Sequence, residues 1–181
     1  MFMFEDSLLP QEENINQELA ELELIREAEL MRTYYDFLQG NKLQSNINFT
    51  FVLVSIHSFD RLVQQYGEDV IKSALMIVNE YLVKARRDSD LIFRIPTRQI
   101  WILLLTQSTN EEAEYFLRRV FQNVPSISDD SNQEIKLRLS GSVLEVNYSK
   151  MDFEGAFEKG SKALGEALKM EPSEIRVITS N

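Results

Sequence analysis

A single histidine, His57, and no cysteine stand among the 181 residues of this chain, so two common routes to nucleophilic and metal chemistry start nearly empty. Without thiols there is no disulfide and no thiolate metal site. An imidazole lacking a second ligand of its kind is ordinarily a structural or surface residue, and His57 is assigned no catalytic role. Trp101 lies in the apolar run Ile100 to Leu105, which predicts core packing rather than ligand stacking. The conspicuous charge is at the amino end. Residues 1–30 hold nine of the 29 acids and one of the 19 bases, Arg26, leaving 20 acids against 18 bases in residues 31–181. So balanced a body lacks the clustered Lys and Arg of a face that binds nucleic-acid polymers. The run Ile100 to Leu105 is the longest apolar stretch and is too short to span a bilayer, so no membrane insertion is expected. Met-Phe-Met-Phe-Glu-Asp carries no basic region ahead of an apolar one, and the expectation is a cytoplasmic chain.

The elements that must position any site follow from periodicity. From Gln11 to Gln39 there is neither Pro nor Gly, and good helix formers predict one long helix ended by Gly40-Asn41. Its apolar residues form two stripes. Ile15, Leu19, Leu22, Leu30 and Phe37 are expected to rest on the domain body. Leu24, Ala28, Met31, Tyr35 and Leu38, spaced 4-3-4-3, suit a helix–helix seam, with Met31 as a seam filler. Seven glutamates between Glu12 and Glu29 would repel one another in a parallel pair. The helix therefore either joins a protein partner or a second copy, or folds back onto its own domain. Residues 1–45 read as an acidic helical appendage and 46–181 as the domain.

Phe49 to Ile56 is β-branched and aromatic, apolar on both faces, and predicts a central strand covered on both sides. Two helices follow, one carrying Phe59, Leu62, Val63 and Tyr66 up to Gly67, the next carrying Val70, Ile71, Ala74, Leu75, Val78, Tyr81 and Leu82. Leu91 to Ile95 and Gln99 to Leu105 read as neighbouring strands joined at Pro96-Thr97-Arg98. Thr109 to Glu112 has the form of a capping box opening a helix. Pro125 to Gln133 reads as a surface loop, and Ile135, Leu137 and Leu139 as a strand with one wet face, bulged at Ser140-Gly141. A last helix capped by Asp152 and a closing strand from Ile175 to Ile178 complete the chain.

This order, with Ser55-Ile56-His57-Ser58-Phe59 followed by Tyr66-Gly67 and with Arg87 to Arg94 leading into a hairpin, resembles the GGDEF (diguanylate cyclase) family over residues 49–178. There the first segment reads Asp-x-Asp-x-Phe. The resemblance implies an α/β (α+β) fold, a palm-like βαββαβ sheet of about five strands with helices on both faces, preceded by the long helix. It also implies a site stripped of its chemistry. The signature Gly-Gly-Asp/Glu-Glu-Phe falls on Pro96, Thr97, Arg98, Gln99 and Ile100. Glycines let a backbone approach a nucleotide; proline lacks the N–H and threonine adds bulk. The metal-bearing acids fall on Ser55 and on Arg98 or Gln99, and a cation in their place repels the divalent metal that phosphoryl transfer needs. The guanine-reading asparagine falls on Val63, with only Glu68 or Asp69 available as its partner. Gly160 to Lys169 echoes the family's late Ala-Asp-x-Ala-Leu-Tyr-x-Ala-Lys without its Asp and Tyr. The expectation is a chain that is no enzyme and needs no cofactor.

One family feature is kept. The inhibitory Arg-x-x-Asp five residues before the signature falls on Arg87 and Asp90, and the site's second arginine, counted without gaps, falls on Arg118. Guanidinium groups clamp phosphates and a guanine edge, and a carboxylate accepts from guanine N–H groups. The resemblance thus implies two uses, a protein-interaction or dimerisation scaffold, or a receptor for cyclic di-GMP. Against the second, Asp90 is equally suited to ending a turn, and Arg86, Arg87 and Arg118 to solvated helix positions.

Overall fold

Strand β1 (Phe49–Ile56) is buried along all eight residues, and the rest of the molecule is arranged around it. The structure is a computed structural model that describes residues 29–38, 40, 49–95, 99–146 and 151–178. Leu24 and Ala28 of the expected seam, and Pro96, Thr97 and Arg98 of the hairpin, lie outside the described residues. In chain order the elements are α1 (29–38), β1, α2 (Phe59–Tyr66), α3 (Glu68–Ala85), β2 (Leu91–Ile95), β3 (Ile100–Thr106), α4 (Asn110–Gln122), β4 (Ile127–Ser128), β5 (Glu134–Ile135), β6 (Leu139–Glu145), α5 (Phe153–Ala167) and β7 (Ile175–Ile178).

Five strands form one mixed sheet in the order β2-β3-β1-β6-β7. β1 runs antiparallel to both neighbours, pairing Val54 with Trp101 on one side and with Gly141 on the other, while β6 and β7 are parallel. Alternation along β1 divides the core in two. Val52, Val54 and Ile56 pack with residues of α3 and α4, and partly buried α2 residues lean on that side. Phe49, Phe51 and Leu53 pack with α1 and α5. Helices therefore cover both faces, as a sheet with no wet side requires. The expected capping box is present, Thr109 Oγ1 accepting from Glu112 N and the Glu112 carboxylate from Thr109 N. Asp152 accepts from Gly155 N at the start of α5.

Three expectations need correction. The residues Ile135 to Leu139 do alternate, with Leu137 buried between exposed Lys136 and Arg138, but the sheet strand is β6, beginning at Leu139 and buried on both faces. Ser140-Gly141 pairs with β1 in unbroken register, so there is no bulge there. Gly141 is small because a Cβ would stand 3.1 Å from Leu53 O and from the Phe121 ring. Second, the loop from Pro125 to Gln133 is not wholly irregular, since β4 within it pairs with β5.

The third correction concerns α1. Met31, Tyr35 and Leu38, assigned by spacing to a helix–helix seam, are 3%, 0% and 7% exposed against the body of the domain. The Tyr35 ring meets Phe49, Phe51 and Phe153 edge-on at centroid distances of 5.4, 6.1 and 5.6 Å, and its hydroxyl donates to Met151 O at 2.9 Å. A tyrosine deep in a core needs such an acceptor, and the domain supplies one. The other stripe is the one left bare: Leu30 is 59% exposed and Phe37 60%.

Candidate ligand clefts

The end of β1, the turn into α2 and the start of β3 enclose a cleft of about 640 Å³. Ser55 lies at its floor, 5% exposed, and its Oγ donates to Gln99 O at 3.1 Å, so the hydroxyl ties the strand to the hairpin. Gln99 adopts φ 53°, a left-handed backbone, and its side-chain Oε1 accepts from Arg94 at 3.2 Å. That arginine lies 5.7 Å over the Trp101 ring. Ser58, Asp60 and Arg61 line the mouth, and Asp60 is the only carboxylate among the described lining residues. Among the described residues no group of three or more His, Asp or Glu is placed to hold a metal ion. A divalent cation is held by several hard oxygen ligands, and this donor set does not fit one.

His57 and Trp101 each make a side-chain hydrogen bond within the domain. His57 Nδ1 lies 3.0 Å from Ser140 Oγ across the β1–β6 pair. Trp101 is fully buried and donates from Nε1 to Asn79 Oδ1 at 3.0 Å.

A second cleft, about 460 Å³, opens between the end of α3 and the outer face of α4. Arg87 lines it, together with Tyr115, Phe116 and Arg119. The other two residues of the expected triad are committed elsewhere. Asp90 is 2% exposed; its Oδ2 accepts from Arg87 N and its Oδ1 from Thr106 N, both at 3.1 Å. Arg86 completes this turn by donating to the carbonyls of Arg87 and Asp90, each at 3.0 Å. Asp90 thus fastens the end of α3 to the end of β3. Arg118 is exposed and forms an i,i+4 ion pair with Glu114, Nε to Oε1 3.0 Å. The arginine that shares the cleft with Arg87 is Arg119, one position on, where a helix turns about 100°. Its guanidinium lies 5.8 Å from the Phe116 ring and its charge reaches Tyr81. Burial pushes the Tyr81 phenol above its ordinary range and Arg119 partly offsets this. Glu112, Tyr115, Phe116 and Arg119 recur at helical spacing, a signal in the sequence that ungapped counting to Arg118 missed.

The fold agrees with the comparisons. The family model for the diguanylate cyclase GGDEF domain matches residues 30–172. The chain belongs to the GGDEF family. No curated protein matches it. Among solved structures, the coiled coil and GGDEF domain of DgcB from Caulobacter crescentus, in complex with c-di-GMP, superposes with a TM-score of 0.75 at 10% identity, covering 94% of this chain and 97% of that one. The diguanylate cyclase SiaD of Pseudomonas aeruginosa, in complex with its activator SiaC, gives 0.75 at 14%, covering 94% and 70%. The GGDEF domain of FimX from the same organism gives 0.68 at 15%, covering 80% and 92%. Identities this low speak for the fold alone. No helix among the described residues is long and apolar enough to cross a membrane.

Proposed function

We propose that this GGDEF-family chain catalyses nothing and acts as a protein-interaction module, its working surface the outer face of α1. The observation that carries the reading is the division of that helix. One face is locked into the core, while Leu30, Tyr34 and Phe37 stand 59%, 38% and 60% exposed on the other. Apolar groups of this size presented together on a helix fixed to its domain suit a partner. The Ser55 cleft supports the non-catalytic half, because its floor is a hydroxyl bonded to the hairpin where phosphoryl transfer needs carboxylates and metal. SiaD, crystallised with an activator protein, shows this fold in a protein complex.

The test is to incubate the purified chain with GTP and Mg²⁺ and follow cyclic di-GMP. No product is expected from protein with an intact unfolding transition. Product above background that disappears in Ser55→Trp, which fills the cleft, would overturn the reading.

A second reading, a cyclic di-GMP receptor, is favoured by one observation: Arg87 and Arg119 line a single cleft beside two aromatic side chains. Guanidinium pairs and ring faces suit a nucleotide. Asp90 speaks against it, since its carboxylate would have to release two backbone donors to meet a ligand. Calorimetric titration with cyclic di-GMP decides. Micromolar binding lost in both Arg87→Ala and Arg119→Ala supports the receptor, and no heat excludes it.

A further inference from the structure

We infer that the open edge of β2 pairs with the same edge of a second copy of this chain, antiparallel about Phe93, so that two sheets join into one. The surface is separate from the outer face of α1, and the inference goes beyond the reading given to that face.

Which backbone groups are open follows from the ladder, because the N–H and C=O of one residue point to the same side of a strand and those of the next residue to the other. Gly141 N donates to Glu174 O and Val146 N to Phe49 O, so Gly141 faces β7 while Phe49, Phe51 and Leu53 face β6. Val52 and Val54 therefore face β3, and their partners Leu103 and Trp101 face back. That turns Ile100, Ile102 and Leu104 towards β2, where they meet Ile95, Phe93 and Leu91. Because β2 is the outermost strand, Ile92 and Arg94 direct their N–H and C=O groups off the sheet. The series stops on both sides. Asp90 N is spent on Arg87 O, and Pro96 has no N–H.

Two donors and two acceptors are what a second β2 satisfies. With Phe93 level with its own copy, Ile92 of each chain comes level with Arg94 of the other, and every open group is used. Leu91 comes level with Ile95, so Leu91, Phe93 and Ile95, half-buried on the α5 side of the sheet, meet only apolar residues. Arg94 is held back by its own domain, donating to Gln99 Oε1 and lying over Trp101. The opposite edge offers no such match. Its open groups belong to Ile175 and Val177, and a self-pair of β7 about Arg176 would set two guanidinium groups opposite each other.

α3 adds apolar surface on the same flank. Tyr81 donates to Val120 O and so marks the side of α3 that meets α4. At 100° per residue, Met76 and Val83 stand about 140° and 200° around the helix from it, away from α4, and they are 63% and 39% exposed. α3 packs at the β2 end of the sheet, with Asn79 accepting from Trp101, so a twofold axis at Phe93 sets one α3 on each side of the seam. A five-residue strand pair buries less than the roughly 1,200 Å² of a stable interface. The contact therefore forms between copies at high local concentration and comes apart in dilute solution.

The chain has no cysteine of its own, so single thiols report the register cleanly. Phe93 opposite itself is a pair without mutual backbone bonds, with Cα atoms about 4.5 Å apart, within reach of a disulfide. Oxidised mildly in concentrated solution, full-length Phe93→Cys is expected to cross-link to itself about tenfold faster than Tyr115→Cys, an exposed position on α4 that records random collision. Leu91→Cys and Ile95→Cys are each expected to react at the collision rate alone and at the fast rate when mixed. Met76→Glu and Val83→Glu, added together to Phe93→Cys, are expected to bring its rate down to that of Tyr115→Cys. Phe93→Cys no faster than Tyr115→Cys, or Leu91→Cys faster with itself than with Ile95→Cys, would overturn the inference, and so would an unchanged rate with both glutamates present.

Discussion

The two faces of α1 differ in what their side chains do, although their compositions are alike. Inward, Met31, Tyr35 and Leu38 are nearly inaccessible and Tyr35 is held by a hydrogen bond and three ring contacts. Outward, Leu30, Tyr34 and Phe37 are 59%, 38% and 60% exposed, and the Tyr34 and Phe37 rings lie 5.8 Å apart. The same division appears at the Arg-x-x-Asp turn, where Asp90 points in and closes the backbone while Arg87 is left exposed at a cleft. In both places a pattern offering two uses has been split, one half spent on the fold and the other left available. An inward change should therefore appear in stability, and an outward one in association.

The largest effect is expected from Tyr35→Ala, which opens a cavity among Phe49, Phe51 and Phe153 and removes the hydroxyl that donates to Met151 O. Truncating a buried aromatic costs about 3–5 kcal/mol, read as a shift of the urea midpoint. A loss below 1 kcal/mol would break the inward half of the comparison. Asp90→Ala comes next, at about 2 kcal/mol, because two backbone N–H groups lose a charged acceptor. A variant as stable as the parent would return Asp90 to the ligand-binding role that its spacing first suggested.

Most of this fold was legible in the sequence because its signals are local. Strand β1, the capping box at Thr109 and the cap at Asp152 each declare themselves within a few residues. What was misread depended on distant partners. Two stripes of similar strength run along the helix, and the one that meets the body finds partners far along the chain, the Tyr35 ring against Phe49, Phe51 and Phe153 and its hydroxyl on Met151 O, 116 residues away. Nor does alternation from Ile135 to Leu139 reveal that β1 pairs with Leu139 to Glu145, with Gly141 under Leu117 and Phe121. At the second cleft the family spacing gives Arg87 and Arg118; Arg87 lines the cleft, whereas Arg118 does not and Arg119, one residue on, does. A one-residue step around a helix exchanges a cleft for solvent.

Tyr81→Phe should cost about 1 kcal/mol, the net worth of its bond to Val120 O, with a dependence on pH. Burial raises the phenol's folded pKa above its unfolded value. The folded state therefore holds the proton more tightly, and that stabilisation, present at neutral pH, is lost as pH rises through about 10. The wild type should lose stability faster than Tyr81→Phe in that window when unfolding is followed between pH 9 and 11. Equal slopes would place Tyr81 in water.

The smallest effect on stability, within about 0.5 kcal/mol, is expected from replacing Leu30, Tyr34 and Phe37 together by serine, and the same variant tests the outward face most directly. Sedimentation velocity of the full chain over a hundredfold range of concentration should show the wild type associating and the triple variant remaining monomeric, with their unfolding midpoints matched. Identical sedimentation of the two proteins would contradict a role for that face in association.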